Sequence, residues 1–335
     1  MNKPDIFVNQ MFHHPAYQHL EKYVDIMYDG MWTPKEYKDR IESEDVHQVK
    51  YQLPEVDQEF IRRVILGIGM VENKVKTFWP KVADMFPQTI IGDIAGLFGQ
   101  SEVTHRRAYE GLIQSLKIDE SLAYEVPVLR SRLDYLQKYL QKDPAFNDRQ
   151  HVLKTLCLFT AFTEKGSLNH HFYALMSYAH NKRGLVTMST LQEVTATEEM
   201  THYQFGLDLV NIIKEQSPAL WTDYMEELVK KRFFDAYNTE TRMIDWFCEE
   251  GVPEHLTVQE LKNFLNYQFN QISEDFGLQI TLPFDEELFE RKSNFFNSQV
   301  KNKTQADFFV TKTGGYSHQR QKVNLTDFKN RFKKS

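Results

Sequence analysis

Gln100-Ser-Glu-Val-Thr-His-Arg-Arg-Ala-Tyr109 is the stretch on which the reading of this chain turns. On an α-helix Glu102 and His105, three residues apart, share a face, and Tyr109 sits one turn further along it. A carboxylate, an imidazole and a phenol therefore line one stripe. That stripe is either a polar helix surface or half of a metal site with a redox-active neighbour.

The surrounding sequence predicts the helix that carries it, from about Thr89 to Leu116, with Gly92, Gly96 and Gly99 small enough for neighbours to approach closely. Upstream, Pro54-Glu-Val-Asp opens a helical run through Phe60, Val64, Ile68 and Val71 to about Val82, apolar at its centre until Glu72. Downstream, residues 119–141 read as one amphipathic helix. A further helix, about 147–180, holds the apolar segment Leu156 to Phe162 and then Glu164. Helices at about 187–214, 218–249 and 258–274 follow, the first carrying Glu198-Glu-Met-Thr-His202. Residues 1 to about 50 read as irregular, with Trp32, just before Thr-Pro, as a packed aromatic at a helix start. No stretch alternates at strand period, and the chain is predicted to be all-α.

Glu-x-x-His occurs twice, at Glu102/His105 and Glu199/His202, a spacing of which about one example is expected by chance. Context adds weight, because Glu72 and Glu164 lie in the two most apolar helices. A carboxylate buried there must be protonated, paired with a cation or bound to a metal. Lys74, Lys76 and Lys165 are the nearby candidates for simple pairing. The alternative accounts for more residues at once. One Glu from each of two helices plus Glu-x-x-His from each of two others is the ligand set of a carboxylate-bridged dinuclear metal site in a four-helix bundle. Mostly oxygen ligands, with one imidazole per metal, favour iron or manganese over zinc or copper.

Composition bounds the rest. At 335 residues and 41% hydrophobic content, the chain can build a large core, read as one helical domain over 1–296 and a polar tail over 297–335. Two cysteines, Cys157 and Cys248, exclude a disulfide framework and a cysteine-built metal site and suit a reducing compartment. With no signal core at the N-terminus and no run near the ~18 apolar residues of a membrane span, a cytoplasmic protein without a membrane partner is expected. Net charge is −7, but from Phe296 onward nine Lys/Arg face two Asp/Glu, against 31 and 45 before it. The acidic body argues against nucleic-acid binding. The adjacent pairs His13-His14 and His170-His171 read as surface or capping residues, Trp79 as core packing and Cys157 as a small buried hydrophobe.

Four segments, in order, resemble the small, radical-generating (beta) subunit of class I ribonucleotide reductase. They are Val71-Glu-Asn-Lys-Val-Lys-Thr-Phe-Trp79, Ser101-Glu-Val-Thr-His-Arg-Arg-Ala-Tyr109, Glu164 in its apolar helix, and Glu198-Glu-Met-Thr-His202. The likeness runs from about Trp32 to the C-terminus. It implies a ferritin-like helical bundle, a homodimer, and a dinuclear centre (Mn2, Fe2 or Mn/Fe) on Glu72, Glu102, His105, Glu164, Glu199 and His202. Tyr109 falls at the position of the family's stable tyrosyl radical. Trp32 falls at that of its relay tryptophan, and Glu198 at that of the tryptophan's acidic partner, usually Asp. Tyr316 resembles the tail tyrosine that passes the radical between subunits, and the extreme tail with Asp327-Phe328 resembles the segment that docks on the large catalytic (alpha) subunit. By this likeness the centre, activated by O2 or a reduced oxygen species, sends an oxidising equivalent to the large subunit for ribonucleotide reduction, part of DNA-precursor synthesis.

Departures from the commonest pattern are visible. Glu72 stands where most members have Asp, as in manganese-using subgroups, some of which keep the oxidising equivalent on the metals rather than on a tyrosine. The Glu72–Glu102 and Glu164–Glu199 spacings are each shifted by one residue, which leaves Val71 and Lys165 as rival alignments, though neither can replace a carboxylate. A stand-alone dimetal-carboxylate oxidase would use the same ligands, and a ferritin-type storage bundle a similar set. Trp32, Tyr316 and Asp327-Phe328 favour the reductase subunit over the oxidase, and a storage bundle, usually about half this length, would have no use for Tyr109 or the tail.

Overall fold

A computed structural model describes residues 4–9, 11–12 and 14–300; His13, Tyr316, Asp327 and Phe328 lie outside the described residues. Every regular element among the described residues is helical. The N-terminal part, expected to be irregular, is itself helical. A 3-10 turn over Pro15–Leu20 leads into α1 (Glu21–Gly30) and α2 (Lys35–Arg40), then a π-helical turn (Ile41–Asp45) and α3 (Val46–Tyr51). Pro34, immediately before α2, suits a first helical turn because its missing N–H would find no partner there.

The run expected from Pro54 to Val82 is two helices, α4 (Glu55–Val75) and α5 (Phe78–Met85). Next comes α6 (Thr89–Leu116), within the bounds read from sequence. Its buried positions Ile91, Ile94, Phe98, Glu102, His105, Tyr109, Leu112 and Leu116 recur every three or four residues. Each large apolar side chain among them stabilises by roughly 1.5–3 kcal/mol on burial, which helps offset the polar groups on the same face. Gly99 admits the ring of Pro80, whose Cγ would lie 2.8 Å from an added Cβ. Gly92 and Gly96, expected to serve the same purpose, have nothing within 4 Å of where a Cβ would be.

The stretch predicted as one helix over 119–141 breaks at Pro127 into α7 (Leu122–Glu125) and α8 (Pro127–Leu140), with Val126 extended between them. The expected 147–180 helix is three pieces: α9 (Asp148–Phe159), a π-helical turn (Thr160–Lys165), and α10 (Asn169–His180). The capping box of Asn147 and Gln150 starts α9. Then follow α11 (Val186–Gln216), a 3-10 turn over Pro218–Leu220, α12 (Asp223–Phe247), α13 (Val258–Phe276) and α14 (Glu286–Lys292). A second capping box, Thr257 with Glu260, opens α13, and Gly277 closes it in the left-handed conformation at φ 71°.

Four segments form the inner bundle: α4, α6, α9 with its π turn and α10, and α11. Within it α4 packs on α6 and α10, and α11 packs on α10, α9 and the π turn. Around it, α12 covers α8, α13 and α4, while α5 lies along α6. The body continues through Val300, which is buried.

Candidate metal centre

Each inner segment delivers acidic groups to one place. Glu72 comes from α4, Glu102 and His105 from α6, Glu164 from the π turn, and Glu199 and His202 from α11; all six are completely buried. Their ligand atoms fall into two groups, Glu72, Glu102, His105 and Glu199, and Glu102, Glu164, Glu199 and His202. Within each group the atoms lie within 4.8 Å of one another. Glu102 and Glu199 belong to both. Glu199 reaches His105 Nδ1 with Oε1 at 2.9 Å and His202 Nδ1 with Oε2 at 3.0 Å. Glu102 Oε1 lies 3.2 Å from His202 Nδ1, and Glu72 Oε2 lies 3.7 Å from His105 Nδ1.

The π turn settles the register of Glu164. Gly166 N–H donates to Ala161 O at 3.1 Å, an i to i+5 bond that adds one residue to the turn. Gly206 of α11 makes room for it, since a Cβ there would meet Thr160 Oγ1 at 2.1 Å. Glu164 turns inward, whereas Lys165 turns outward to Asp275, 3.3 Å away, and lies over the Tyr203 ring. Val71 is buried apolar packing. The lysines considered as simple partners do not neutralise the cluster: Lys74 is exposed, and Lys76 donates to Asn73 at 2.8 Å.

Both imidazoles are oriented from outside. His105 Nε2 lies 2.6 Å from Glu198 Oε2, which also accepts from Trp32 Nε1 at 3.0 Å. The Trp32 ring stacks near His105 at 6.0 Å between centroids. His202 Nε2 lies 3.0 Å from Ser101 Oγ, which donates to Phe98 O at 3.1 Å. With each Nε2–H so engaged, each Nδ1 presents its lone pair to the carboxylates, the arrangement of a metal-ligating histidine with a hydrogen-bonded outer nitrogen. Trp79 is more than the packing residue expected, because its Nε1–H donates to Glu164 Oε1 at 2.8 Å.

The electrostatics are those of a site short of cations. Burial raises the Glu72 and Glu164 carboxyls well above the ordinary range, with the Glu199 charge adding to it, and raises Glu102 for the same reasons. Burial also pushes Glu199 up, but His202 and His105 outweigh it and hold that carboxyl low. For both histidines burial favours the neutral ring, yet Glu199 above all holds them well above the usual imidazole value. Both oxygens of Glu72 and of Glu102, one each of Glu164 and Glu199, and His105 Nδ1 have no hydrogen-bond partner. Buried acceptors without donors are costly, by roughly 1–3 kcal/mol each and more when charged. Two divalent cations would answer all of them and balance four carboxylates, so the residues present fit a dinuclear centre.

Tyr109, also fully buried, donates from Oη to Gln192 Oε1 at 2.7 Å. Burial, then the charge of Glu72, pushes its phenol well above the usual value. The reading of His170 and His171 as surface residues is corrected. Both are completely buried, because α10 is covered by α4 on one side and by α11 and α13 on others. They adjoin Glu240, which accepts from Arg132 Nε at 2.9 Å and from the Tyr135 hydroxyl. Arg132 Nη1 donates to His171 Nε2 at 3.1 Å and to Gly67 O at 2.8 Å, and Nη2 to Ser167 O. The guanidinium already neutralises Glu240 and occupies one His171 nitrogen, so this cluster is a brace. It ties α4 to the chain just beyond the π turn.

Comparisons with known proteins bear on the family and the fold. The family described as "Ribonucleotide reductase, small chain" matches residues 9–286. A probable ribonucleoside-diphosphate reductase small subunit, 048L of Invertebrate iridescent virus 3, is 20% identical over 291 residues, covering 76% of this chain and 74% of that protein. Among solved structures, the R2 subunit of Clostridium botulinum superposes with a TM-score of 0.71 at 13% identity, covering 90% of this chain and 98% of that one. Dimanganese(II)-NrdF of Streptococcus sanguinis gives 0.66 at 12% identity, over 88% and 98%. An R2-like ligand-binding oxidase with a Mn/Fe cofactor gives 0.64 at 14% identity, over 79% and 94%.

Proposed function

The chain belongs to the ribonucleotide reductase small-chain family, and on that premise we propose that it supplies the oxidising equivalent for ribonucleotide reduction from a dinuclear centre held by Glu72, Glu102, His105, Glu164, Glu199 and His202. The observation that carries this reading is the pair of buried ligand groups sharing Glu102 and Glu199. When bound, iron or manganese supplies one-electron redox chemistry toward O2 or a reduced oxygen species. The protein supplies the rest. Glu72 with His105 would hold one metal and Glu164 with His202 the other, with Glu102 and Glu199, common to both groups, available to each. The aromatic wall of Trp79, Phe98 and Phe205 keeps the site dry: Phe98 lies 4.2 Å from the His202 ring and 5.3 Å from Phe205.

The oxidising equivalent would leave by the hydrogen-bonded line His105–Glu198–Trp32, an electron passing inward along it. Trp32, buried at 5% exposure, is the member of the line farthest along it from His105. Glu198 does the work of the Asp usual in the family. Beyond it the proposal reaches Tyr316 and a tail from about 297 that docks on the large catalytic subunit through the region of Asp327-Phe328. The small subunit of this family works with such a partner, and a homodimer is the form expected of it. An oxidase acting on a ligand bound in its own core has no need of the Trp32 line, which favours the reductase reading. No helix among the described residues is long and apolar enough to cross a membrane.

The test uses metal-loaded full chain with its large subunit. Trp32→Phe keeps the metal content and loses at least ~100-fold in ribonucleotide reduction, since one missing relay group interrupts transfer. Retention of full turnover would remove Trp32 from the path. A peptide copying residues 305–335 competes with the intact chain for the large subunit; absence of competition would contradict tail docking.

A further inference from the structure

We infer that the cavity where the end of α8 meets α9 and α12 binds a phosphate group, held by the buried Lys154 and the cations around it. The site lies apart from the dinuclear centre, and none of its residues is among the six side chains clustered there. The cavity has a volume of about 230 Å3 and is lined by four cationic side chains, Lys138, Lys142, Lys154 and Arg232, against one carboxylate, Asp143. Two of the cations are already matched: Lys142 pairs with Asp148 at 2.7 Å and Arg232 with Asp235 at 2.8 Å. Asp143 is engaged too, accepting from Ala145 N–H at 2.9 Å and from the Tyr224 hydroxyl at 3.1 Å. Lys138 and Lys154 form no ion pair among the described residues, and Lys154 is only 3% exposed.

A buried ammonium without a counter-charge is costly, and its usual neighbour is a carboxylate. Lys154 instead donates to Gln141 O, just past α8, where the partial negative charge of a helix end favours a cation. One carbonyl answers one of three ammonium donors, and a helix end supplies only a fraction of a charge. Capping alone is also open to an exposed lysine, and Lys138 already stands in the last turn of α8. Burial holds the Lys154 ammonium down to about 8, against the pull of Asp143, so it still carries its charge at neutral pH. Two unmatched cations call for a dianion, and a phosphate monoester carries about −1.5 to −2 at neutral pH. The lysines offer it point charges, and Arg232, with one N–H on Asp235, offers further donors. Lys138 and Arg232 also line a groove of about 680 Å3 between α8 and α12, so a body carried by the phosphate has room beside it.

The experiment titrates the full-length, metal-loaded chain with inorganic phosphate and, separately, with glycerol phosphate, ionic strength being held constant with chloride. Binding is read by isothermal calorimetry and by the rise in Tm. Wild type is expected to bind saturably and to melt higher with either probe. Lys154→Met is expected to weaken binding at least ~10-fold and Lys138→Gln several-fold, through the lost charge-assisted hydrogen bonds. Tighter binding of glycerol phosphate assigns the site to a phosphate ester that uses the groove, and equal or weaker binding assigns it to free phosphate. No binding to wild type by about 20 mM of either probe overturns the inference. So does binding unchanged in both variants, which is how phosphate on the metals or a general ion effect would behave. If Lys154→Met does not fold, Lys138→Gln and Arg232→Gln decide, and full affinity in both overturns the site.

Discussion

Glu164 depends on a residue that its own neighbourhood in sequence does not suggest. Trp79 donates to Glu164 Oε1 from 85 positions away, and Glu198 joins Trp32 to His105 across 166 and 93 positions. The six clustered side chains proposed as ligands are legible in the sequence, because Glu-x-x-His spacing and lone carboxylates in apolar helices are local signals. Trp79 and Gln192 were not, since nothing near either residue names the partner that helix packing brings to it. Outer groups of this kind typically tune metal affinity by 10–100-fold. Trp79→Phe removes the N–H while keeping an aromatic ring, and is expected to weaken metal retention by about 10-fold or more in a chelator competition. Unchanged retention would reduce Trp79 to wall packing. The same length of separation explains the mistake over His170 and His171. Adjacent side chains do point apart on a helix, but on α10 both directions lead into protein.

At the scale of elements, the two π turns carry consequences that hydrophobic periodicity does not register. One at Thr160–Lys165 aims Glu164, and the brace from Arg132 to Gly67 O and Ser167 O holds the chain around it. The other, Ile41–Asp45, ends on the buried Asp45, which accepts from Met188 N–H at the start of α11. Helix existence was predictable because apolar residues recur at 3–4 spacing. Breaks at 76–77, 126 and 160–168 were missed because an unbroken apolar pattern runs across them. Burial raises the Asp45 carboxyl from 3.8 to about 6, against the lowering effect of the Met188 amide. With the folded value above the unfolded one, the folded state binds more protons between them. Stability therefore falls as pH rises from about 4 to about 6, and the penalty is complete above that. Asp45→Asn lacks this dependence and is expected to gain roughly 1–2 kcal/mol on wild type between pH 4.5 and 7.5 in urea denaturation. Parallel profiles for the two proteins would contradict a buried, titrating Asp45.

Across the whole molecule, α4, α6, the α9–α10 segment and α11 each bring acid to one interior point, while α5, α8, α12 and α13 shut it from water. An apolar bundle that buries four carboxylates and two imidazoles among partnerless oxygens is built for cations, and the family match names the chemistry. The acidic body and the basic stretch beyond Phe296 suit the proposal made above, in which the tail serves a partner and the body holds the centre. The most direct measurement is metal content with EPR on the full-length chain loaded with Fe(II), Mn(II) or both, alongside Glu72→Ala and Glu199→Ala. About two metals per wild-type chain are expected, with a spin-coupled signal. Glu72→Ala should lower the content to about one, and Glu199→Ala should lower both positions together, because Glu199 faces both imidazoles. Fewer than about one metal per wild-type chain under every loading condition would contradict the dinuclear centre.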